Sequence, residues 1–510
     1  MTTENNVDWQ LVVERGHSTL FLDILFQSQK TALMEQTIGF PFSFGNIQKR
    51  GLALRYDRVQ LSAAQHVLRT RWQCDGPKVF QDLANACQVS CDALMTLVHL
   101  PEFTNLTATR PTLEFLALFD RYVAQMTQHA CFIQIMTTAQ NELLQIILSR
   151  FSEDADEAQT VMRLLTPAYV SERVRSTQDL LALGCEVQGT PHLSDHIKNT
   201  STLDIIATIG TSHPEVWDLI RNHAQTYAWM GRSYFSGPCL SEFEIVDALK
   251  ELLADKCSEK RDAMSATRAQ RRARKELALD RMPDSAELHL LVGVLEKFLH
   301  LKDHRLEVMF MAHERVVPLF NFLAQRAHVA LDDLLFLTSA EIRACFTTAK
   351  PAALMEKAVA RQERLSATMI NGEIAWDDEQ PHEFLTIKPS SVQGGVRRFT
   401  GDVCCRGQAS GTARVLMGSD DIDRLEQDDI LVAPMLVPEI VRGVHKVRAI
   451  VTSEGGVLSH AAIVSRELNI PCITGIEDIT TTVKDGDFIK VNAETGVVEV
   501  YESMEEKLII

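Results

Sequence analysis

Apolar residues recur every three or four positions through the middle of the chain, from about residue 96 to residue 375. This spacing places them on one face of a helix. Examples are LLQIILSRF, LSEFEIVDALKELLADK and ELHLLVGVLEKFLHLKDHRLEVMFMAHERVVPLFNFLAQRA. Glycine is sparse in this stretch, as is typical of a bundle of long helices. The pattern predicts a large helical domain over residues 96–375.

The pattern changes near residue 399, where short runs of β-type residues are separated by Gly and Asp-Gly. The runs are GTARVLM, DILVAPM, AIVTSEGG, PCITGI and GDFIKVNAETGVVEVY, and two helical patterns, VPEIVRGVHKV and SHAAIVSRELN, interrupt them. This alternation predicts an α/β domain over residues 399–502, followed by a tail at 503–510. Residues 376–398 contain Pro, Ser and a Gly pair, and they are predicted to be a linker about which the C-terminal domain moves, with Gly394 and Gly395 as its pivot.

The first 95 residues mix the two patterns. DWQLVVER is predicted to be a strand, whereas RVQLSAAQHVLRTRW and KVFQDLANACQ are predicted to be helices. The sequence therefore predicts a small mixed α/β region over residues 1–95. The predicted fold class is multi-domain, with a large, mostly α-helical domain followed by a C-terminal α/β (β/β/α) domain.

The composition narrows the class of protein. The chain has 510 residues, of which 45% are hydrophobic and 23% charged, so it is able to build globular cores and is not a disordered or low-complexity protein. The formal net charge of −17 argues against a nucleic-acid-binding protein, because phosphates would be repelled. Residues 400–510 carry 10 basic and 19 acidic side chains, which is about half of that excess.

The same sequence points to a cytoplasmic protein. No apolar run approaches the roughly 18 residues of a membrane helix, so no membrane association is expected. The N-terminal MTTENNVDWQ has neither the basic nor the apolar region of a secretory signal. The 11 cysteines show no metal-ligand spacing, which fits reduced thiols in a cytoplasm. Cys404 and Cys405 are adjacent and are predicted to lie on opposite faces of a strand.

One segment near the C-terminus, IVTSEGGVLSHAAIVSRELNIPCITG, carries a chemical pattern. An apolar strand leads into Thr452 and a Gly pair, and Ser459 and His460 then open a helix rich in Ala and Ile. Gly455 and Gly456 allow backbone N–H groups to approach an anion closely. A helix N-terminus adds uncommitted N–H donors and a dipole that favours negative charge.

These features make His460 a candidate phosphoryl carrier. A neutral imidazole is a competent nucleophile near neutral pH, and a phosphorylated one carries charge that such donors stabilise. The residues alone leave a second interpretation open, in which His460 caps the helix or is a hydrogen-bonded core residue.

The segment TSEGGVLSHAAIVSRELNIPCITG resembles the phosphohistidine signature of the mobile (swivelling) domain of phosphoenolpyruvate-utilising enzymes. Phosphoenolpyruvate synthase, pyruvate phosphate dikinase and rifampicin phosphotransferase share this domain. Upstream, GQASGTARVL and DDILVAPML resemble its first strands. The matching residues of the motif are Thr452, Gly455, Gly456, Ser459, His460, Ala461, Ala462, Arg466, Glu467, Pro471 and Gly475. One departure is Leu458, where several dikinases have a Thr whose hydroxyl affects how the phosphoryl group is held.

The resemblance implies a phosphotransferase in which His460 is phosphorylated and delivers its phosphoryl group to a separate acceptor site. It implies a phosphate cradle built by Thr452, Gly455, Gly456, Ser459 and Arg466.

In three-part members of the family an ATP-grasp domain phosphorylates the histidine. The first 95 residues are too few for such a domain, and no Gly-rich loop with a following Lys is seen. No phosphoenolpyruvate-binding barrel is recognisable either. We therefore expect a separate ATP-grasp subunit, as in the divided phenylphosphate synthase. Mg²⁺ and ATP, or phosphoenolpyruvate, would be required through that partner, with no cofactor bound firmly by this chain.

The helical region is more distantly similar to the acceptor-binding domain of rifampicin-phosphotransferase-like proteins. The shared order is a long helical domain, then DDLLFLTSAEI, RLSATMINGEIAWDDE and the mobile domain. The similarity implies a small-molecule acceptor. The segment HAQTYAWMGRSYFSGP predicts an apolar pocket with polar groups for that acceptor, although an aromatic core with a helix cap is the alternative. The candidate residues are His223, Tyr227, Trp229, Arg232 and Tyr234.

Two further pairs of residues are candidates for ligand binding, one for a phosphate and one for a metal. Arg305 and His313 lie on a long predicted helix, where an Arg is able to pair with a phosphate, but surface salt bridges are favoured. His192 and His196 are spaced for a metal but have no third ligand in register, so no metal site is predicted. Two non-enzymatic functions also stay open: a binding or regulatory descendant of the family, and an adaptor that docks through phosphorylated His460.

Overall fold

The computed structural model describes residues 9–14, 18–38, 45–48, 53–151, 170–231, 239–254, 257–280, 286–347, 351–363, 366–370, 373–376, 392–393, 396–416, 424–436, 444, 446–453, 459–468, 470–476 and 479–501. Its helices, labelled in chain order, are α1 (Thr19–Ser28), α2 (Ala32–Ile38), α3 (Arg58–Asp75), α4 (Lys78–Val98), α5 (Pro101–Thr104), α6 (Thr112–Phe151), α7 (Glu172–Gln188), α8 (Pro191–Asn199), α9 (Thr202–Ser212), α10 (Pro214–Tyr227), α11 (Glu242–Ala254), α12 (Cys257–Asp280), α13 (Ala286–Ala327), α14 (Leu331–Leu335), α15 (Ser339–Ala344), α16 (Pro351–Glu363), α17 (His460–Leu468) and α18 (Ile479–Thr482). A 3₁₀ turn, Ala228–Gly231, follows α10.

The strands are β1 (Trp9–Glu14), β2 (Gly45–Gln48), β3 (Ala53–Asp57), β4 (Ser366–Ile370), β5 (Glu373–Trp376), β6 (Val392–Gln393), β7 (Val396–Thr400), β8 (Asp402–Cys405), β9 (Gln408–Val415), β10 (Ile430–Ala433), β11 (Ala449–Thr452), β12 (Cys472–Thr474), β13 (Phe488–Asn492) and β14 (Val497–Tyr501). A large helical region is followed by a sheet-rich C-terminal region, as the hydrophobic pattern predicts. Within the described residues, no helix combines the length and apolar content needed to cross a bilayer.

The helical region is organised around α6 and α13, which pack against each other and against α4. One apolar cluster extends from Leu20 in α1 to Met369 in β4. The first strands join the same body, because a five-stranded sheet has the order β1-β3-β2-β4-β5 and pairs Gly45 with Met369. Here the structure differs from the predicted boundary at residue 95, since α1 and α3 bury their apolar faces against α6.

The predicted helical domain contains a second, smaller core. Residues of α7 to α11 and the first residue of α12 form a separate apolar cluster. The two cores meet where α10 ends, because Trp229 of the 3₁₀ turn belongs to the main cluster and Ala224 of α10 to the smaller one. At the same junction the Glu172 backbone N–H, at the start of α7, donates to Glu307 Oε1 of α13 at 2.9 Å.

The C-terminal region is a nine-stranded sheet with the order β6-β7-β14-β13-β9-β10-β11-β12-β8. Strands β9, β10, β11 and β12 run parallel, and the remaining described pairings are antiparallel. Each face has its own core: Ile430 and Val432 pack with α18 on one side, and Leu431 and Ala433 pack with α17 on the other. Helices on both faces explain why β10 and β11 are buried at every position.

The predicted linker, residues 376–398, is partly strand. Val392–Gln393 is β6 and pairs antiparallel with β7, so the sheet begins ahead of the predicted boundary at residue 399. Residues 377–391 lie outside the described residues, as does the Gly pair at 394–395, the predicted pivot.

Candidate functional site

The phosphohistidine-like segment lies at the carboxyl ends of parallel strands. Strand β11 ends at Thr452, helix α17 begins at His460, and the chain returns through β12, which is parallel to β11. In open α/β sheets, ligands bind outside the carboxyl ends of such strands. The topology therefore puts His460 at the edge of the sheet where a ligand would bind.

The strand end that precedes the helix is rigidly held. Thr452 is fully buried, and its carbonyl oxygen accepts from the Ile476 backbone N–H at 3.1 Å. The neighbouring Ser453 N–H donates to the Ala433 carbonyl at 3.1 Å, and its hydroxyl donates to the Pro434 carbonyl at 3.3 Å. Both residues are thus tied to the adjacent strand ends. Gly455 and Gly456, the predicted cradle glycines, lie outside the described residues.

Ser459 caps the helix that His460 opens. The Ser459 hydroxyl oxygen accepts from the Ala462 backbone N–H at 3.2 Å, which is the usual contact between an N-cap and the third helical residue. His460 is then the first helical residue and Ala461 the second, so their N–H groups have no acceptor within the helix. Ala461 and Ala462 are buried and seat this helix start on the sheet. The arrangement leaves backbone donors of the first turn at the position of His460.

Arg466 lies at the other end of the same helix. Six residues separate it from His460, which is about 9 Å along the helix axis. Its Nε donates to the Cys404 carbonyl of β8 at 2.7 Å, and burial lowers the pKa of its guanidinium. The structure therefore places Ser459 directly before His460 and Thr452 at the end of the preceding strand, whereas Arg466 ties α17 to β8. A cation in the last turn also complements the helix dipole.

The predicted acceptor residues in α10 are buried among polar partners. The Tyr227 hydroxyl donates to Asp179 Oδ2 at 2.6 Å, and His223 Nε2 lies 3.2 Å from the Ser176 hydroxyl. Burial is the main cause that raises the pKa of Tyr227 and lowers the pKa of His223. The two rings are 4.7 Å apart.

Trp229 is buried in the main core, and Arg232 and Tyr234 lie outside the described residues. Sequence reasoning missed Asp179 and Ser176, which stand on α7. In the sequence, Ser176 and Asp179 are recognisable only as two polar residues three positions apart, a spacing that places them on the same face of a helix.

The interpretation of Arg305 and His313 as surface residues is wrong. Both are buried, at 3% and 1% exposure, between α13 and α6. The Arg305 carbonyl is 2.9 Å from His129 Nε2, and His313 Nδ1 is 3.2 Å from the Tyr122 hydroxyl. Burial lowers the pKa of His129 to about 4. The polar groups at these positions therefore bond across the helix interface.

His192 and His196 lie on α8, where His196 Nδ1 is 3.2 Å from the Thr200 hydroxyl. In the part of the chain that the structure describes, no three His, Cys, Asp or Glu side chains are grouped to hold a metal ion.

Comparison with known proteins identifies the C-terminal region. Residues 425–496 match the family model described as the PEP-utilising enzyme, mobile domain. A probable phosphoenolpyruvate synthase of Archaeoglobus fulgidus is 44% identical over 101 residues, which are 20% of this chain and 13% of that protein. The phosphoenolpyruvate synthase of Pyrococcus furiosus is 42% identical over 92 residues, 18% of this chain and 11% of that protein. These matches confirm the family resemblance that the motif carries, over this part of the chain.

Two proteins of other kinds also match part of the chain. Chondramide synthase cmdD of Chondromyces crocatus is 43% identical over 115 residues, 22% of this chain and 3% of that protein. Among solved structures, aconitase X of Thermococcus kodakaraensis in its holo form aligns with 21% of this chain and 98% of its own, at 19% identity and a TM-score of 0.17. The chain thus spans at most 13% of the length of each of the three relatives.

Proposed function

We propose that this chain carries a phosphoryl group on His460 and passes it to a small molecule bound by the helical region. The observation that carries the proposal is the position of His460 as the first residue of α17, beyond the carboxyl end of β11 and within the matched mobile domain. The phosphotransfer chemistry of the family supports an enzyme.

The backbone explains how such a residue would hold the group. An imidazole nitrogen attacks the donor's phosphorus, a P–N bond forms, and the P–O bond to the donor's leaving group breaks. The phosphoryl oxygens then lie near the uncommitted N–H groups of the first turn and the positive end of the helix dipole, which contribute about 0.3–1 kcal/mol at an exposed site. In the second step an acceptor oxygen attacks phosphorus and the P–N bond breaks. The protein contributes mainly position and electrostatics.

The proposed phosphoryl donor is supplied by a partner. We propose that a separate ATP-grasp subunit phosphorylates His460, with ATP or phosphoenolpyruvate as the donor and Mg²⁺ held with the donor's phosphates. The described side chains at the strand end and the helix start, Thr452, Ser453 and Ser459, are hydroxyls rather than the carboxylates that Mg²⁺ favours. They do not fit a dedicated Mg²⁺ site, so no step is assigned to a metal on this chain.

Delivery to an acceptor would require the C-terminal region to travel. Its two cores contain only residues of the sheet-rich region, whereas the main helical core ends at Met369. Separate cores permit rigid-body motion about the predicted linker. The Gly pair at 394–395 falls between β6 and β7, which pair within the C-terminal sheet, so we place the pivot ahead of β6. Limited proteolysis should cut first between residues 376 and 398. The cytoplasmic location stays a prediction.

The decisive test is phosphorylation with labelled ATP and, separately, labelled phosphoenolpyruvate, with and without candidate ATP-grasp partners. We expect acid-labile label on the wild type with a partner and none on His460→Ala. His99→Ala is the matched control, because His99 is an exposed histidine that bonds within its own helix turn. Label that persists in His460→Ala would refute the carrier. By calorimetry the chain alone should bind ATP only weakly, and a low-micromolar site would refute the need for a partner.

A second candidate function is an adaptor that docks through phosphorylated His460. The mobile-domain match supports it equally, since docking needs the carrier but no acceptor. The two functions differ in the fate of the label. Loss of label to a small molecule supports the transferase, whereas stable label with partner capture supports the adaptor.

A further inference from the structure

Three cysteines gather under the helix that begins at His460. Cys404 and Cys405 end strand β8, Cys472 begins strand β12, and the two strands are antiparallel neighbours. Cys404 and Cys472 are buried, at 5% and 0% exposure, and Cys405 is half-buried. Arg466 of α17 lies among them, with its Nε on the Cys404 carbonyl. The thiols and the helix therefore share one small volume.

A β-bulge brings Cys404 and Cys472 to the same face of the sheet. Cys472 stands opposite Cys405, and the next pair joins Ile473 to Val403, so Cys404 is the extra residue of β8. In a regular pleat, Cys404 and Cys405 would point to opposite faces, as the sequence predicts. The bulge redirects one of them. Cys404 and Cys472 both belong to the cluster that includes α17, and Cys405 packs against that cluster from its edge.

The two buried thiols affect each other's ionisation. The Cys472 thiol donates to the sulfur of Cys404, and this hydrogen bond is the main cause that lowers the pKa of Cys404 and raises the pKa of Cys472. The Thr474 hydroxyl lies 3.1 Å from the Cys404 sulfur, and the nearby Arg466 charge also favours a thiolate there. At a bulge two residues of one strand face one residue of the other, so Cys404 and Cys405 both face Cys472. Cys404 is the one of the two that shares the buried cluster with Cys472.

Access to this pair runs through the edge of the sheet. Strand β8 is four residues long and stands last in the order of the described sheet. Short edge strands open locally at a far smaller free-energy cost than central strands. Opening of β8 would expose Cys404 without unfolding the parallel core of β9 to β12.

We propose that Cys404 and Cys472 form a reversible thiol–disulfide pair that is oxidised by peroxide or by a small-molecule disulfide. With hydrogen peroxide, the Cys404 thiolate attacks one oxygen, the O–O bond breaks, and a sulfenic acid forms with release of hydroxide, which becomes water. The Cys472 thiol then attacks the sulfenic sulfur, the S–O bond breaks, and a second water leaves. Two thiols are oxidised and one peroxide is reduced to two waters. A dithiol reductant reverses the reaction by exchange.

The disulfide would act on the helix that presents His460. A disulfide requires the two sulfurs to approach to about 2.05 Å, which draws β8 and β12 together. Helix α17 packs on both strands and is tied to β8 through Arg466, so its seating changes with them. We expect oxidation to stop the opening of β8 and to shift the helix start. The effect on phosphoryl transfer rests on the proposed function, whereas the disulfide does not.

The first experiment detects the bond on the full chain. The reduced protein is treated with hydrogen peroxide or oxidised glutathione, quenched with N-ethylmaleimide and analysed by peptide mass spectrometry. We expect a cross-link between the Cys404 and Cys472 peptides and the loss of two of the 11 alkylatable thiols. Cys405→Ser should keep the cross-link and Cys472→Ser should abolish it. Absence of the cross-link, or its replacement by a Cys405–Cys472 link, would overturn the proposal.

The matched control is a second pair of thiols that affect each other's pKa, Cys87 and Cys91, which lies on one central helix of the bundle. It has no sheet edge to open, so Cys87→Ser should leave the 404–472 cross-link and its rate unchanged. An equally fast link between Cys87 and Cys91 would show that burial at a sheet edge confers no selectivity, and would overturn the assignment.

The second experiment measures how oxidation affects β8 and α17, and it does not depend on phosphorylation. Hydrogen exchange of the β8 and α17 amides should slow on oxidation and recover with dithiothreitol in the wild type, but not respond in Cys472→Ser. Unchanged exchange in a cross-linked wild type would refute the coupling to α17. Labelling of His460 is then compared in the two redox states. If His460 is never labelled, the proposed function fails while the disulfide and exchange results still stand.

Discussion

The buried ion pair between Arg361 of α16 and Glu341 of α15 offers the sharpest test of how the helical region is held together. Arg361 Nη1 donates to Glu341 Oε2 at 2.5 Å and Nη2 to Oε1 at 3.1 Å. The Arg361 side chain is 1% exposed and lies 5.3 Å from the centre of the Trp376 ring in β5. Glu341 also closes the capping box of α15 with Thr338. One pair thus joins two helices and the sheet.

Replacing Arg361 with Met leaves the Glu341 carboxylate half-enclosed without its bidentate partner. Losing one member of a buried pair costs about 3–5 kcal/mol. The carboxylate keeps Lys357, whose Nζ is 3.6 Å from Oε1, but that side chain is 47% exposed and its charge is screened by water, so we expect the lower end of this range. The exposed pair of Arg343 and Asp120 is the matched control, with side chains 44% and 47% exposed and a 2.6 Å contact. Arg343→Met should cost about 0–1 kcal/mol. The comparison isolates burial, since both pairs are close contacts.

Guanidinium unfolding followed by tryptophan fluorescence measures the difference. Arg361→Met should lower the midpoint by about 0.5–1 M, given a slope of several kcal/mol per molar. The double variant Arg361→Met with Glu341→Gln keeps a capping acceptor and removes the buried charge, so it should recover most of the loss. Equal midpoints for Arg361→Met and Arg343→Met would refute the reasoning.

The stability that the pair of Arg361 and Glu341 contributes should change with pH in a definite direction. Burial by itself raises the pKa of Glu341, but hydrogen bonds from Arg361 and Thr338 and the Arg361 charge outweigh it and hold that pKa below its ordinary value of 4.5. A carboxyl with a lowered folded-state pKa stabilises the fold above its unfolded value. That stability is lost as the pH falls through the folded-state pKa. Arg361→Met should therefore make the free energy of unfolding depend less on pH in this acidic range. Arg343→Met should leave that dependence unchanged.

Three further predictions concern the candidate site, the sheet that carries it and the predicted acceptor residues of the helical region. Ser459→Ala removes the helix cap and should cost about 1 kcal/mol, measured as faster hydrogen exchange at Ala462, while Ser459→Asn should preserve the cap. Gly496 has φ +75° and an added Cβ would lie 2.6 Å from the Gly401 carbonyl oxygen, so Gly496→Ala should cost more, by thermal unfolding, than Gly486→Ala, which has φ +90° in open space. Asp179→Asn should lower the pKa of the Tyr227 phenol in a spectrophotometric titration, because it removes the carboxylate that accepts the phenol proton.

The sequence predicts the parts of this fold that depend on local periodicity. The 3.6-residue spacing of ELHLLVGVLEKFLHLKDHRLEVMFMAHERVVPLFNFLAQRA predicts a long helix, and α13 spans Ala286–Ala327. The short β-type runs after residue 399 predict strands of an α/β region, and β9 to β14 follow them. These elements are confirmed because one or two buried faces impose their own period on the residues.

Long-range pairing was beyond the same reasoning. Nothing local in GNIQ or SATMI indicates that β2 pairs with β4, more than three hundred residues later, so the local pattern predicts a separate region over residues 1–95. The local pattern does not indicate the burial of Arg305 either, because a charged residue on a helix indicates a surface face unless the opposing helices supply polar partners. The Ile133 carbonyl on α6 accepts from Arg305 Nη2 at 3.5 Å.

The residues of the candidate site also separate into those that a local motif predicts and those whose contacts come from distant parts of the chain. Ser459 and His460 were predictable because a cap and the residue after it follow from a local motif, and the cap hydrogen bond is present. Arg466 belongs to the same motif, yet a helix of nine residues places it on the far end, where its carbonyl partner comes from β8. A residue can therefore match a phosphate-binding signature and still act through the helix that presents the histidine. Arg466→Met separates the two roles: a phosphate ligand would lose label from His460 with α17 intact, whereas the observed contact predicts faster hydrogen exchange throughout α17 at an initial labelling level that is preserved.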